Sequence, residues 1–173
     1  NIQIQLSEDG FSYDISGKMN KKPMLYVKYI DDDLKKLAED MAKIMYEDDG
    51  IGLAGPQVSQ SKNIIIIGDS DGKSWQAYIN PVITYISKNT TITEEGCLSL
   101  PYIFANVTRP KKVRFKYQDL EGKAHKAKAK GLDAVVIQHE IDHLNGVLFI
   151  DRADKITKGQ EILDSLKNNA NNK

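Results

Sequence analysis

Gln138-His139-Glu140-Ile141-Asp142-His143, preceded by Gly131-Leu132-Asp133-Ala134-Val135-Val136-Ile137, is the stretch on which the rest of the chain is arranged. Read as a helix, it sets His139 and His143 one turn apart on one face, where both imidazoles reach a single metal ion. Leu132, Val135, Val136, His139 and His143 fall on one stripe at helical spacing. Glu140 comes directly after the first histidine, placed to take a proton from a metal-activated water. Asn145-Gly146 then supplies a stop, with Gly146 free to adopt a positive φ. The alternative is a buried helix whose histidines are hydrogen-bonded core residues, because so short a motif also arises by chance.

The chain of 173 residues has room for one well-buried core, and one domain over residues 1–173 is expected. Hydrophobic content of 40% and charged content of 28% fit a globular protein in water rather than a disordered or membrane chain. Lys+Arg and Asp+Glu number 24 each, so no global field recruits nucleic acid or an anionic membrane. Ile64-Ile65-Ile66-Ile67 is among the longest apolar runs and is far too short to span a bilayer. A single cysteine, Cys97, excludes an internal disulfide and fits a reducing compartment. The sequence opens on Asn1 rather than Met, which leaves room for an upstream transit segment. The expected compartment is therefore a bacterial-type cytoplasm or an organellar stroma or matrix.

Residues 1–30 carry weak signals: Ile2, Ile4 and Leu6 alternate as in a strand, and Gly10, Gly17 and Pro23 punctuate the remainder of the segment. Asp31-Asp32-Asp33 suits a helix N-terminus, and Leu34, Leu37, Ala38, Met41, Ala42 and Met45 form its apolar stripe up to Gly50. Gly50-Ile51-Gly52-Leu53-Ala54-Gly55-Pro56-Gln57-Val58 is too rich in Gly and Pro for a helix or a central strand, yet nearly uncharged. Backbone packed close against a substrate explains that combination, and Gln57 can aim an amide into a pocket. Strands are predicted at Ile64 to Ile67, Trp75 to Ile79, Val82 to Ile86 after a break at Asn80-Pro81, and Thr90 to Thr93. Val113, Phe115 and Tyr117 mark another, which turns at Asp119 to Gly122 and returns over Ala124 to Lys130. On that return Lys126, Lys128 and Lys130 share a face, read as solvated rather than as a nucleic-acid contact. Ile156, Ile162, Leu163 and Leu166 predict a terminal helix over residues 155–173 that frays at its end. The fold class expected is α+β: antiparallel sheets around a central histidine-bearing helix, with an N-terminal and a C-terminal helix.

Cys97, within Glu94-Glu95-Gly96-Cys97-Leu98-Ser99, offers a thiolate that completes a Cys-His-His set and leaves a fourth position for water. Glu95 and Gly96 then border the substrate's path. The competing readings are an inert buried thiol, a Cys-His nucleophilic dyad, a His-Glu-x-x-His metallopeptidase and a structural metal site. Two histidines at ligand spacing weigh against the dyad. The only other histidine, His125, lies on a predicted strand rather than beside the motif, which weighs against a closed structural shell.

The stretches 50–57, 95–99 and 138–143 together resemble, in order and separation, the three signature motifs of the peptide deformylases, over about residues 31–154. The resemblance implies a metallo-amidohydrolase that removes the formyl group from N-terminal formyl-methionine of new polypeptides. It implies one divalent metal, usually Fe²⁺ with Zn²⁺, Ni²⁺ or Co²⁺ as substitutes, held by Cys97, His139 and His143. Glu140 is then the general acid/base, and Gln57 with the backbone N–H of Leu98 polarises the formyl oxygen. Ile51, Leu132, Val135 and Val136 wall an apolar slot for the methionine side chain. Glu95 and Arg109 resemble the family's ion pair behind the metal. The partners implied are formyl-methionyl nascent chains at the ribosome exit region, with no membrane. Two departures stand out: Gly55 replaces the family's usual Ala, and residues 1–30 show none of the usual N-terminal motif. Where a number of relatives carry an arginine, this chain has Phe104, which implies no cation at the far end of a bound peptide.

Overall fold

The acidic run at 31–33 does open a helix. In the computed structural model, which describes residues 3–5, 12–14, 24–69, 72 and 74–171, the Asp31 carboxylate accepts the Leu34 N–H at 2.8 Å and caps α1, Asp32–Glu47. Asp49, not Gly50, takes the left-handed conformation that ends it, at φ 55°. The Gly50 N–H then bonds back to the Met45 carbonyl at 2.8 Å, closing the last turn. Before α1, β1 (Gln3–Gln5) and β2 (Ser12–Asp14) pair antiparallel; Ile2 and Leu6 lie outside the described residues.

The larger of the remaining sheets is five-stranded and antiparallel. It is built from β3 (Gly52–Ala54), β4 (Ile64–Gly68), β5 (Trp75–Ile86), β8 (Lys112–Gln118) and β9 (Ala124–Lys130), in that spatial order. The Gly-rich segment enters as its short edge strand and then makes a 3₁₀ turn with Pro56 near its start, where a missing N–H costs nothing. Ile64, Ile65 and Ile66 are all buried because β4 is covered on both faces. Ile64 and Ile66 pack with Leu34, Met41 and Met45 of α1. Ile65 turns the other way, toward Ala134, Ile137 and Ile141 of α2, Leu132–Leu144.

A three-stranded sheet pairs β6 (Thr90–Cys97), β7 (Leu100–Pro110) and β10 (Ala153–Lys158), with β7 in the middle. Leu148, Phe149 and Leu163 complete the core on its inner side, Leu163 coming from α3, Gln160–Asn171. α2 lies between the two sheets and is buried on nearly all sides. Gly146, at φ 72°, ends it as the sequence predicts. The architecture is α+β, as expected.

Three local expectations change. Asn80-Pro81 does not break β5: Asn80 adopts φ 52° within a register shift between Ile79 and Val82, and its amide bonds to both Val27 and Gln118. β7 is not among the predicted strands, and a proline at position 101 is unusual in a central strand. It is tolerated where pairing is interrupted: Gly96 faces Phe104 while Cys97 faces Leu100, and the extra residues bulge. The terminal helix begins at Gln160, and Ile156 belongs to β10, opposite Ala105.

Candidate metal centre

Two elements from different parts of the fold meet at the site. β6 delivers Cys97 at its end, and α2 delivers His139 and His143 from its buried interior. Their donor atoms all lie within 4.8 Å of one another. The His143 Nε2 stands 3.2 Å from the Cys97 Sγ and 3.2 Å from the His139 Nε2. Tetrahedral bonds of about 2.0–2.3 Å set ligand atoms roughly 3.3–3.7 Å apart, close to this spacing. Two imidazole nitrogens and a thiol crowded this closely need a shared proton or a cation among them. Burial alone pushes the Cys97 thiol up, but the His143 charge and hydrogen bonds from both histidines outweigh it and hold it well below its ordinary range. Burial lowers His139, yet its bonds to Cys97 and Glu95 raise it to about 10. Both shifts favour a thiolate beside a protonated imidazole, and a divalent cation can take the place of that proton. The residues fit a metal.

Behind the donors lies an ordered polar array. The His139 Nδ1–H donates to Glu95 Oε2 at 2.9 Å, which orients the ring so that Nε2, once it gives up its proton, is the nitrogen left to coordinate. Arg109 grips both Glu95 oxygens and donates a third bond to Asp142 at 2.8 Å. Arg152 closes the array on Asp142 at 2.6 and 2.7 Å. Burial would raise the Glu95 carboxyl, but His139 and Arg109 hold it below its usual 4.5. Glu95 and Arg109 are only 6% and 3% exposed, so this is a buried pair rather than a surface one. Phe149 stacks on His139, centroids 6.1 Å apart.

Glu140 faces a cavity of about 860 Å³. It is 4% exposed, its Oε2 has no hydrogen-bond partner among the described residues, and burial raises its carboxyl. Gln57 is held by its carbonyl, which accepts the Ala54 N–H at 2.8 Å, and by an Nε2–H donated to Ser99 Oγ at 2.9 Å. Its second N–H has only a long contact with the Cys97 sulfur, at 3.6 Å. Ile51, Gly52, Gln57 and Leu98 line the cavity, as do Glu95, Gly96 and Cys97. Leu132, Val135, Val136 and His139 also line it, whereas His143, 1% exposed, does not. Each residue singled out in the sequence thus borders the cavity or the donor cluster.

Some details differ from expectation. The close approach at Gly52 is to the protein's own Glu140: a Cβ there would lie 2.7 Å from the carboxyl carbon. Both Glu95 oxygens are engaged, so Glu95 offers a substrate its backbone only. Phe104 does have a cation nearby, since the Lys158 Nζ lies 5.0 Å from its ring centroid and 3.9 Å from Glu94. Ser99, Asp142 and Arg152 belong to the site without having been singled out in the sequence. Asp142 lies between the two histidines, but nothing in sequence marks which arginines reach it.

The polypeptide deformylase family pattern matches residues 14–159, a longer span than the motifs alone suggest, reaching into the weak N-terminal segment. A peptide deformylase of Rhodopseudomonas palustris (strain TIE-1) is 47% identical over 135 residues, covering 75% of this chain and 77% of that protein. One from Microchaete diplosiphon is 41% identical, covering 86% and 81%. The crystal structure of peptide deformylase from Thermotoga maritima superposes with TM-score 0.73 at 44% identity, covering 77% of this chain and 89% of its own. That of Synechococcus elongatus, in complex with actinonin, gives TM-score 0.75 at 38% identity, covering 87% and 79%. The chain belongs to the polypeptide deformylase family.

Proposed function

We propose that residues 1–173 act as one catalytic domain in which Cys97, His139 and His143 hold a divalent metal and Glu140 carries the proton. The chain is a metal-dependent hydrolase that removes the N-formyl group from formyl-methionine of newly made polypeptides and releases formate. Fe²⁺ is the metal assigned, with Zn²⁺, Ni²⁺ and Co²⁺ compatible with the same donors. The observation that carries this reading is the open donor cluster beside a buried carboxylate with an unpartnered oxygen.

When bound, the metal lowers the pKa of a coordinated water from 15.7 to about 7 and polarises a carbonyl. Glu140, its proton affinity raised by burial, accepts the water's proton as the oxygen attacks the formyl carbon. The weakly engaged N–H of Gln57, with the Leu98 backbone N–H, donates to the oxygen that gains charge. Glu140 then returns the proton to the amine nitrogen as the C–N bond breaks, leaving formate and a free N-terminus. Glu95 keeps His139 in its coordinating tautomer throughout. β3 and β6 are both edge strands and both border the cavity, so an extended peptide can add its backbone to a free edge. Ile51, Leu132, Val135 and Val136 receive the methionine side chain.

The natural setting assigned is the ribosome exit region, in a bacterial-type cytoplasm or an organelle; no helix among the described residues is long and apolar enough to cross a membrane. Anaerobically prepared, Fe²⁺-loaded protein is expected to release formate from formyl-Met-Ala-Ser and to leave acetyl-Met-Ala-Ser intact. Cleavage of internal peptide bonds instead would make the protein a metallopeptidase.

A further inference from the structure

Strands β5, β8 and β9 contain no Asp or Glu, in a chain with 24 acids and 24 bases. Pairing turns that bias into a patch. Lys112 faces Lys130, Arg114 faces Lys128 and Lys116 faces Lys126. All six are exposed, while the intervening Val113, Phe115, Ala127 and Ala129 point into the core shared with α2. The cations therefore stand together on the sheet face turned away from α2. Among the described residues none of the six forms an ion pair with a carboxylate. Directly opposed like charges destabilise an antiparallel pair, whereas Lys-Glu rungs would stabilise it. Protection of an edge accounts for lysines on β9, which is the edge strand. It does not account for three cations on β8, which is covered on both sides by β5 and β9.

We propose that this face of β8 and β9 docks the phosphate backbone of RNA; the choice of RNA rests on the proposed function, which sets the enzyme at the ribosome. Rungs two residues apart lie about 6.7 Å from one another along the strands and about 4.8 Å across them. Two rows of cations about 13 Å long result, with no acid on these strands to compete for a polyphosphate strand. Contacts of this kind position a protein without reading sequence. A lipid surface fits less well. Membrane-interface anchors are Trp, Tyr, Phe and Leu, and among the exposed apolar residues beside the cations on β5, Val82, Tyr85 and Ile86, only Tyr85 is one of them. The Tyr85 ring is already covered by Arg114, 5.0 Å from its centroid.

The test titrates metal-loaded protein against a fluorescein-labelled RNA hairpin at several salt concentrations, beside phosphatidylglycerol vesicles. Lys126→Gln/Lys128→Gln/Lys130→Gln is expected to weaken hairpin binding about tenfold or more and to reduce the slope of log affinity against log salt by about 2–3. Its melting temperature should not fall, since three repulsive rungs are relieved. Lys35→Gln/Lys36→Gln/Lys43→Gln on α1 should bind as the parent does. Equal weakening in both triple variants, unchanged binding in the β9 variant, or tighter binding of the parent to vesicles than to the hairpin would each overturn the proposal. Formate release from free formyl-Met-Ala-Ser, read on the same samples, should match the parent. Its absence in the parent would sink the deformylase reading on which the choice of RNA rests, whereas hairpin binding on the same samples tests the surface by itself.

Discussion

A methyl group on Gly52 would stand 2.7 Å from the carboxyl carbon of Glu140. The side chain proposed to carry the proton therefore occupies space that only glycine leaves open. Gly52→Ala is expected to keep one metal per chain and the native fold yet lose about 100-fold in turnover, the cost of misplacing a catalytic group by roughly 1 Å. Metal analysis beside formate kinetics checks this, and unchanged turnover would show that Glu140 tolerates displacement. Much of the site was legible at this scale, because the chemistry needs particular side chains at particular spacings: His139 and His143 a helical turn apart, Glu140 between them, Cys97 beside a glycine. Ser99 was not legible. It holds the Gln57 amide across 42 residues of sequence, and a serine beside a motif carries no sign of that contact.

β6, β7 and α2 are joined by the Glu95–Arg109–Asp142 array, whose charged groups are almost wholly buried. Breaking such an array from one side leaves uncompensated charge, so Arg109→Met should cost about 3–5 kcal/mol at pH 7 in urea denaturation. The sign with pH is set by Glu95. Its carboxyl lies below 4.5 in the folded protein, so its contribution is complete above 4.5 and is lost as pH falls through the lower folded value. The deficit of the variant should therefore narrow on acidification; a gap independent of pH would show that the array is not ionic in origin. Elements were legible where one face alone sets the pattern, as in α1, with Leu34, Ala38, Met41 and Met45 buried at helical spacing. They were missed where pairing overrides local preference. β7 runs through Pro101 because a bulge absorbs it, and β10 carries Ile156 into a sheet opposite Ala105. The arrangement of six cations on β8 and β9 likewise needs the register, since β9 alone shows only three alternating lysines.

For the whole molecule, a metal on the proposed donors would tie β6 of one sheet to the helix that both sheets enclose, where Cys97 Sγ and His143 Nε2 already meet across 46 residues. Ligand bound at about 1,000 times its dissociation constant stabilises the native state by about 4 kcal/mol, worth about 10 °C in a chain of this size. Calorimetry with and without chelator should show that shift in the parent and not in Cys97→Ala; an equal shift in both would remove Cys97 from the donor set. The most direct measurement takes metal content and formate release from one preparation of Glu140→Gln. The expected result is one metal per chain with turnover of formyl-Met-Ala-Ser about 100-fold or more below the parent, because the three donors are intact and only the proton carrier is gone. Loss of the metal along with activity, or activity that survives the substitution, would contradict the role assigned to Glu140 at the Cys97–His139–His143 centre.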